Sequence, residues 1–141
     1  MPLKLSLKPG ERFVVNGAVL QNGDRRAVLL LQNKASILRE KDIIQPDEVT
    51  TPVRHIYFPI MMMYLDPPDA NRYYDEFVLR LNEFMGVISS TEILKECVSL
   101  SREVMAEDYY KALTRCRKLL TYEQELLGHV DPGVPDSGSE D

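Results

Sequence analysis

Leu3, Leu5 and Leu7 alternate with Lys4, Ser6 and Lys8, a period of two that sends the leucines to one face of a strand and the lysines to the other. Pro9-Gly10 interrupts the pattern, Phe13-Val14-Val15 resumes it, and Asn16-Gly17 follows as a hairpin signal, because both residues tolerate positive φ. Ala18 to Gln21 is therefore expected to run back beside Phe13 to Val15. A second turn at Asn22-Gly23-Asp24 leads into Ala27 to Leu31, which is uncharged and reads as a strand buried on both faces. After Gln32-Asn33-Lys34 the chain offers a last strand, Ala35 to Leu38, with Arg39 at its end. Four or five short strands over about forty residues are too few to close a core unaided. The β layer needs cover from helices or from a second copy, so a homo-oligomer is one expected outcome.

From Thr51 the period changes. Thr51-Pro52 resembles an N-cap with proline at the first helical position. Val53, Ile56, Tyr57, Ile60, Met61, Tyr64 and Leu65 then recur three and four apart, and Pro59 is expected to kink or end that helix. Met61-Met62-Met63 suits either core packing or an adaptable protein interface. Asp66-Pro67-Pro68-Asp69 breaks the chain, and Asp69 is expected to cap a helix through Gly86 that buries Tyr73, Phe77, Val78, Leu81 and Met85. Ser89-Ser90-Thr91-Glu92 reads as a capping box before a helix burying Ile93, Leu94, Cys97, Leu100, Val104 and Met105. A final helix from Glu107-Asp108 is expected to bury Tyr109, Leu113, Cys116, Leu119, Leu120 and Leu127. The segment 128–141 is rich in Pro, Gly and acid, which predicts a disordered acidic tail. The fold class is therefore α+β, with a small N-terminal antiparallel β module at 1–44, about four helices over 45–127 and the tail.

Charge sharpens this division. Leu3 to Ile44 holds eight cations against four anions, a net of +4, while the whole chain carries −5. Such asymmetry suggests a cationic face for a polyanion on an acidic helical body. The candidate set is Lys4, Lys8, Arg12, Arg25, Arg26, Lys34 and Arg39, and a hairpin sheet can bring these onto one rim. Scattered, solvated surface charges are the plainer account.

Other chemistry is harder to find. His55 and His129 have no partner by spacing, there is no G-x-S-x-G or phosphate loop, and Cys97 and Cys116 lack a CxxC pattern. The cysteines are expected to be buried filler, with no metal and no cofactor. The longest uncharged apolar run, Ile56 to Leu65, is about half of the roughly 20 residues that a membrane span requires. The opening Met1-Pro2-Leu3-Lys4 lacks a secretory h-region, which predicts a cytoplasmic protein without a membrane partner.

Several separate stretches, in order and at matching distances, resemble the FlbT flagellum biosynthesis repressor family of α-proteobacteria. They are Met1 to Arg12, Ala35-Ser36-Ile37-Leu38-Arg39-Glu40, Ile56-Tyr57-Phe58 and Met63-Tyr64-Leu65-Asp66. That resemblance implies a post-transcriptional regulator, not an enzyme, which binds the 5′ untranslated leader of flagellin messenger RNA and promotes its decay. In some species the family is linked to supporting flagellin production. The N-terminal module is also similar to the RNA-binding regulator CsrA, in its Gly10-Glu11 pair and in Arg39-Glu40 ending the last strand. It departs from CsrA at Leu38 and in a shorter loop around Gln32-Asn33-Lys34. By that position Arg39 is expected to be the most sensitive RNA contact, unless it pairs with Glu40 or Asp42. The alternative from another class is an adaptor that engages a flagellar regulatory or export protein through Met61 to Tyr64 without touching RNA.

Overall fold

The computed structural model describes residues 3–130. Five strands come first, β1 (Leu3–Leu7), β2 (Arg12–Val15), β3 (Ala18–Gln21), β4 (Ala27–Leu31) and β5 (Ile37–Arg39), followed by α1 (Pro52–Leu65), α2 (Asn71–Val87), α3 (Thr91–Met105) and α4 (Tyr109–Val130). The α+β class read from the sequence holds. The strands make two antiparallel sheets, a β1–β4 ribbon and a sheet in the order β3–β2–β5.

The first turn is as expected. Asn16 and Gly17 have φ of 50° and 84°, and β2 returns as β3 with Val15 opposite Ala18. The second turn does not close a hairpin. Asn22 donates its side-chain amide to the carbonyls of Lys8 and Arg25 (2.8 Å each) and its backbone N–H to Glu11 (2.8 Å), which steers β4 beside β1 instead of β3. This placement corrects the expectation that Ala27 to Leu31 is buried on both faces. Val28, Leu29 and Leu30 are 52%, 42% and 59% exposed, since β4 has β1 as its one strand neighbour and its closest packing is with that strand.

The other sheet is fastened to the helices. Val14 of β2 and Leu38 of β5 enter the same buried cluster as Val53, Ile56, Ile60 and Met63 of α1. The Tyr64 hydroxyl accepts from the Ile37 N–H (2.8 Å) and donates to the Ile37 carbonyl (2.9 Å), and the Tyr57 hydroxyl donates to the Asp42 carbonyl (2.6 Å). α1 is thus the central element, packed on α2 and α4 with the sheet at its C-terminal end.

Thr51 caps α1 as expected, accepting from the Arg54 N–H at 3.3 Å. Pro59 does not end that helix. Its ring fixes a φ that a helix can use, its missing N–H forfeits one bond, and burial of Pro59 beside Ile56, Ile60 and Met63 compensates for that loss. Met61 and Met63 are likewise core residues, and Met62 is half-buried. α2 starts later than expected: Asp69 lies in a 3-10 turn, Pro67–Asp69, and Ala70 enters the helix without a side-chain cap. Gly86 lies inside α2, which ends at Val87. Ser90 alone caps α3, through the Ile93 N–H. Met105 and Leu127, expected inside, are exposed, because each stands toward the end of its helix beyond the reach of its neighbours. Cys97 and Cys116 are fully buried, and burial pushes the Cys97 thiol up to about 11. α4 runs through Gly128 to Val130, past the point where the tail was expected to begin, and residues 131–141 lie outside the described ones.

Two polar clamps fix the helices. Arg115 of α4 forks onto Glu103 (2.9 Å twice) and reaches Glu96 of α3 (2.8 Å). Glu123 of α4, a buried carboxylate, accepts from the Val53 N–H (3.0 Å) and from the Thr51 hydroxyl, so it supplies acceptors to the free donors at the start of α1. No described helix is long and apolar enough to cross a membrane.

Candidate nucleic-acid interface

The seam between the two sheets is built around Arg39. Gly10, at φ 72°, permits the tight Lys8–Glu11 turn that follows β1, and the Glu11 carboxylate closes it by accepting the Lys8 N–H at 2.9 Å. Arg39, at the end of β5, donates Nε and Nη2 to the same carboxylate (2.9 Å each) and Nη2 also to the Ser6 carbonyl of β1. Arg39 therefore pairs with Glu11, 28 residues upstream, and not with Glu40 or Asp42. The Arg39 fork and the Lys8 N–H hold the Glu11 carboxyl down at about 2, and Glu11 in turn raises Arg39 above its usual value. Nη1 of Arg39 has no hydrogen-bond partner among the described residues.

The other six expected site residues, Lys4, Lys8, Arg12, Arg25, Arg26 and Lys34, are all exposed, as is Lys41. None of these seven forms an ion pair among the described residues. The acids of the module are placed differently. Glu11 is held by Arg39, and Asp42 lies 3.3 Å from Arg117 of α4, which leaves Asp24 and Glu40 as its exposed acids. The surface of the module is thus more cationic than its sequence charge indicates.

The cations do not share one rim. Lys8, Arg39 and Lys41 surround a hollow of about 500 Å³ beside the Glu11 turn. A larger cleft of about 850 Å³ opens between β1, β5 and the helices, with Lys34, Arg39, Lys41 and Arg117 around Tyr64 and Tyr110. Lys4, Arg12, Arg25 and Arg26 line neither. In the cleft the Tyr64 and Tyr110 rings stand 5.7 Å apart, and the Arg117 guanidinium lies 6.0 Å from the centre of the exposed Tyr110 ring. An exposed aromatic face flanked by cations, as at Tyr110, is what a single-stranded nucleic acid uses for stacking and for its phosphates. Lys41, Tyr110 and Arg117 escaped the sequence reading. The one hint at Tyr110 is the Tyr109-Tyr110 doublet, in which Tyr109 shares the apolar stripe of Leu113 and Cys116 and Tyr110 stands beside it.

The family described as Flagellar protein FlbT matches residues 3–127. The chain belongs to the FlbT family. The match takes in the cationic strands as well as the helical body of this FlbT chain. Among its relatives, the flagellum biosynthesis repressor protein FlbT of Caulobacter vibrioides (strain ATCC 19089 / CIP 103742 / CB 15) is 67% identical over 138 residues, covering 98% of each chain. A FlbT protein of Caulobacter sp. (strain K31), named a probable repressor of the same kind, is 65% identical over 92% of this chain and 99% of its own. A more distant FlbT protein, from Bradyrhizobium diazoefficiens, is 35% identical over 96% and 91%. No solved structure matches the chain.

Proposed function

We propose that this FlbT chain represses flagellum synthesis as a post-transcriptional regulator, binding the 5′ untranslated leader of flagellin messenger RNA and promoting its decay. The relatives' names support repression. For RNA as the target, the supporting observation is the arrangement of charge: seven exposed cations without ion-pair partners among the described residues, on a module whose acids are partly turned inward. Lys34 and Lys41 take phosphates at the mouth of the cleft, and Tyr110 offers a face to an unstacked base. The reading is of a binding protein rather than an enzyme. An adaptor built on Met61 to Tyr64 has less in its favour, because Met61 and Met63 are buried.

Filter binding of leader and scrambled RNA across a salt series tests the proposal. Affinity is expected to fall linearly with salt on logarithmic axes, and each of Lys34→Ala and Lys41→Ala to lower the slope by roughly one unit or less. Tyr110→Ala should instead cost about 1–3 kcal/mol with the slope kept. Binding of leader and scrambled RNA alike, or no salt dependence, would overturn the proposal.

A further inference from the structure

Like β3, which exposes Val19 and Leu20, β4 is an edge strand with one strand neighbour among the described residues, and it presents the larger apolar edge of the two. Its one hydrogen-bonded neighbour is β1, its other edge is free, and its exposed side chains are Val28, Leu29 and Leu30. Soluble proteins blunt such edges with lysine, proline, a bulge or a covering element. Ala27 to Leu31 contains no charge and no proline, and each residue pairs in unbroken register with β1, so there is no bulge. An edge of this kind is a template for a further strand.

We propose that the partner is a second copy of this chain, with β4 pairing antiparallel to β4 across a two-fold axis and joining two ribbons into one four-stranded sheet in the order β1–β4–β4–β1. Alternation of side chains restricts the symmetric registers to those centred on a residue, because directly opposed residues must point to the same face. Centred on Leu29, Val28 faces Leu30 of the second copy and Ala27 faces Leu31, so every exposed apolar side chain of β4 meets another. Moving the centre to Leu30 sets Val28 against Gln32, and moving it to Val28 lays Arg26 on Leu30. The Leu29 register alone of these three sets apolar against apolar along the whole strand, and a second copy is present wherever the protein is made. This isologous contact closes on itself and does not propagate.

The test uses the full chain. Sedimentation equilibrium is expected to show a dimer, and Leu29→Cys to form a disulfide-linked dimer under mild oxidation, because directly opposed residues in such a pair stand roughly 5 Å apart at Cβ. Cys97 and Cys116 are fully buried and stay silent, and Val87→Cys, on an exposed site at the end of α2, serves as the control that should not crosslink. Val28→Lys should weaken the dimer about tenfold by setting a charge against Leu30 of the second copy, and Val28→Lys with Leu30→Glu, which sets opposite charges face to face, should restore it. A chain that stays monomeric at all concentrations overturns the proposal. So does a dimer that fails to crosslink at Leu29, or a Val28→Lys loss that the double variant does not rescue, since either places the contact elsewhere.

Discussion

The two sheets of the β module are made of similar residues, yet only one has strands that enter the helical core. In the β3–β2–β5 sheet Phe13, Val14, Ile37 and Leu38 are buried and the edge strand β3 is exposed, whereas the β1–β4 ribbon buries Leu7 alone and turns Val28, Leu29 and Leu30 outward. What differs is attachment. The sheet reaches α1 through Val14, Leu38 and the paired Tyr64 bonds to Ile37, while the ribbon is held by Leu7, the Asn22 amide and the Arg39 bond to Ser6. An apolar strand is thus buried or exposed according to what lies over it, and its composition does not decide which.

The largest expected effect comes from truncating one leucine on each side of this divide. Leu38→Ala opens a cavity where sheet meets helices and should cost about 2–5 kcal/mol, whereas Leu30→Ala should change subunit stability by less than about 0.5 kcal/mol. Urea unfolding of dilute protein measures both, and equal losses would mean that the ribbon belongs to the core. Tyr64→Phe is next. Loss of the hydroxyl leaves the Ile37 N–H and carbonyl without that partner, at a cost of about 1–3 kcal/mol, and hydrogen exchange should quicken in β5 before it changes in β4.

Arg39 joins the two regions, and its replacement should loosen the ribbon. Arg39→Lys keeps the charge but loses the fork on Glu11, so unfolding free energy should drop by about 1–2 kcal/mol. If Nη1 also reads a base, discrimination between leader and scrambled RNA should fall in the same variant under conditions where it remains folded. The pair also predicts a pH dependence. The Glu11 carboxyl is depressed from 4.5 to about 2, so its contribution is complete above about 4.5 and is lost as pH falls toward 2. Glu11→Gln should flatten that part of the stability curve, and an unchanged acid slope would remove the pair from the seam. A smaller loss than at Arg39 is expected at Gly17, where φ is 84° and an added Cβ would sit 3.4 Å from the Leu65 carbonyl. Gly17→Ala should cost about 1 kcal/mol by thermal melting, from strain in the hairpin turn.

Signals that act over one turn of chain were readable from the sequence. The Asn16-Gly17 hairpin, the Thr51 cap, the apolar stripe of α1 and the burial of both cysteines follow from φ preference, capping and a period of 3.6 residues. The concentration of cations before Ile44 was equally plain. Tertiary structure decided the rest: that Asn22 turns β4 toward β1, that Pro59 is tolerated inside α1, that Glu11 takes the Arg39 fork, and that Arg117 and Tyr110 join Lys34 at one cleft. Each of these joins residues far apart in the chain or depends on the packing around them. Local preferences are insensitive to such neighbours, and the balance of burial, hydrogen bonding and charge that selects among them exists only once the surfaces meet.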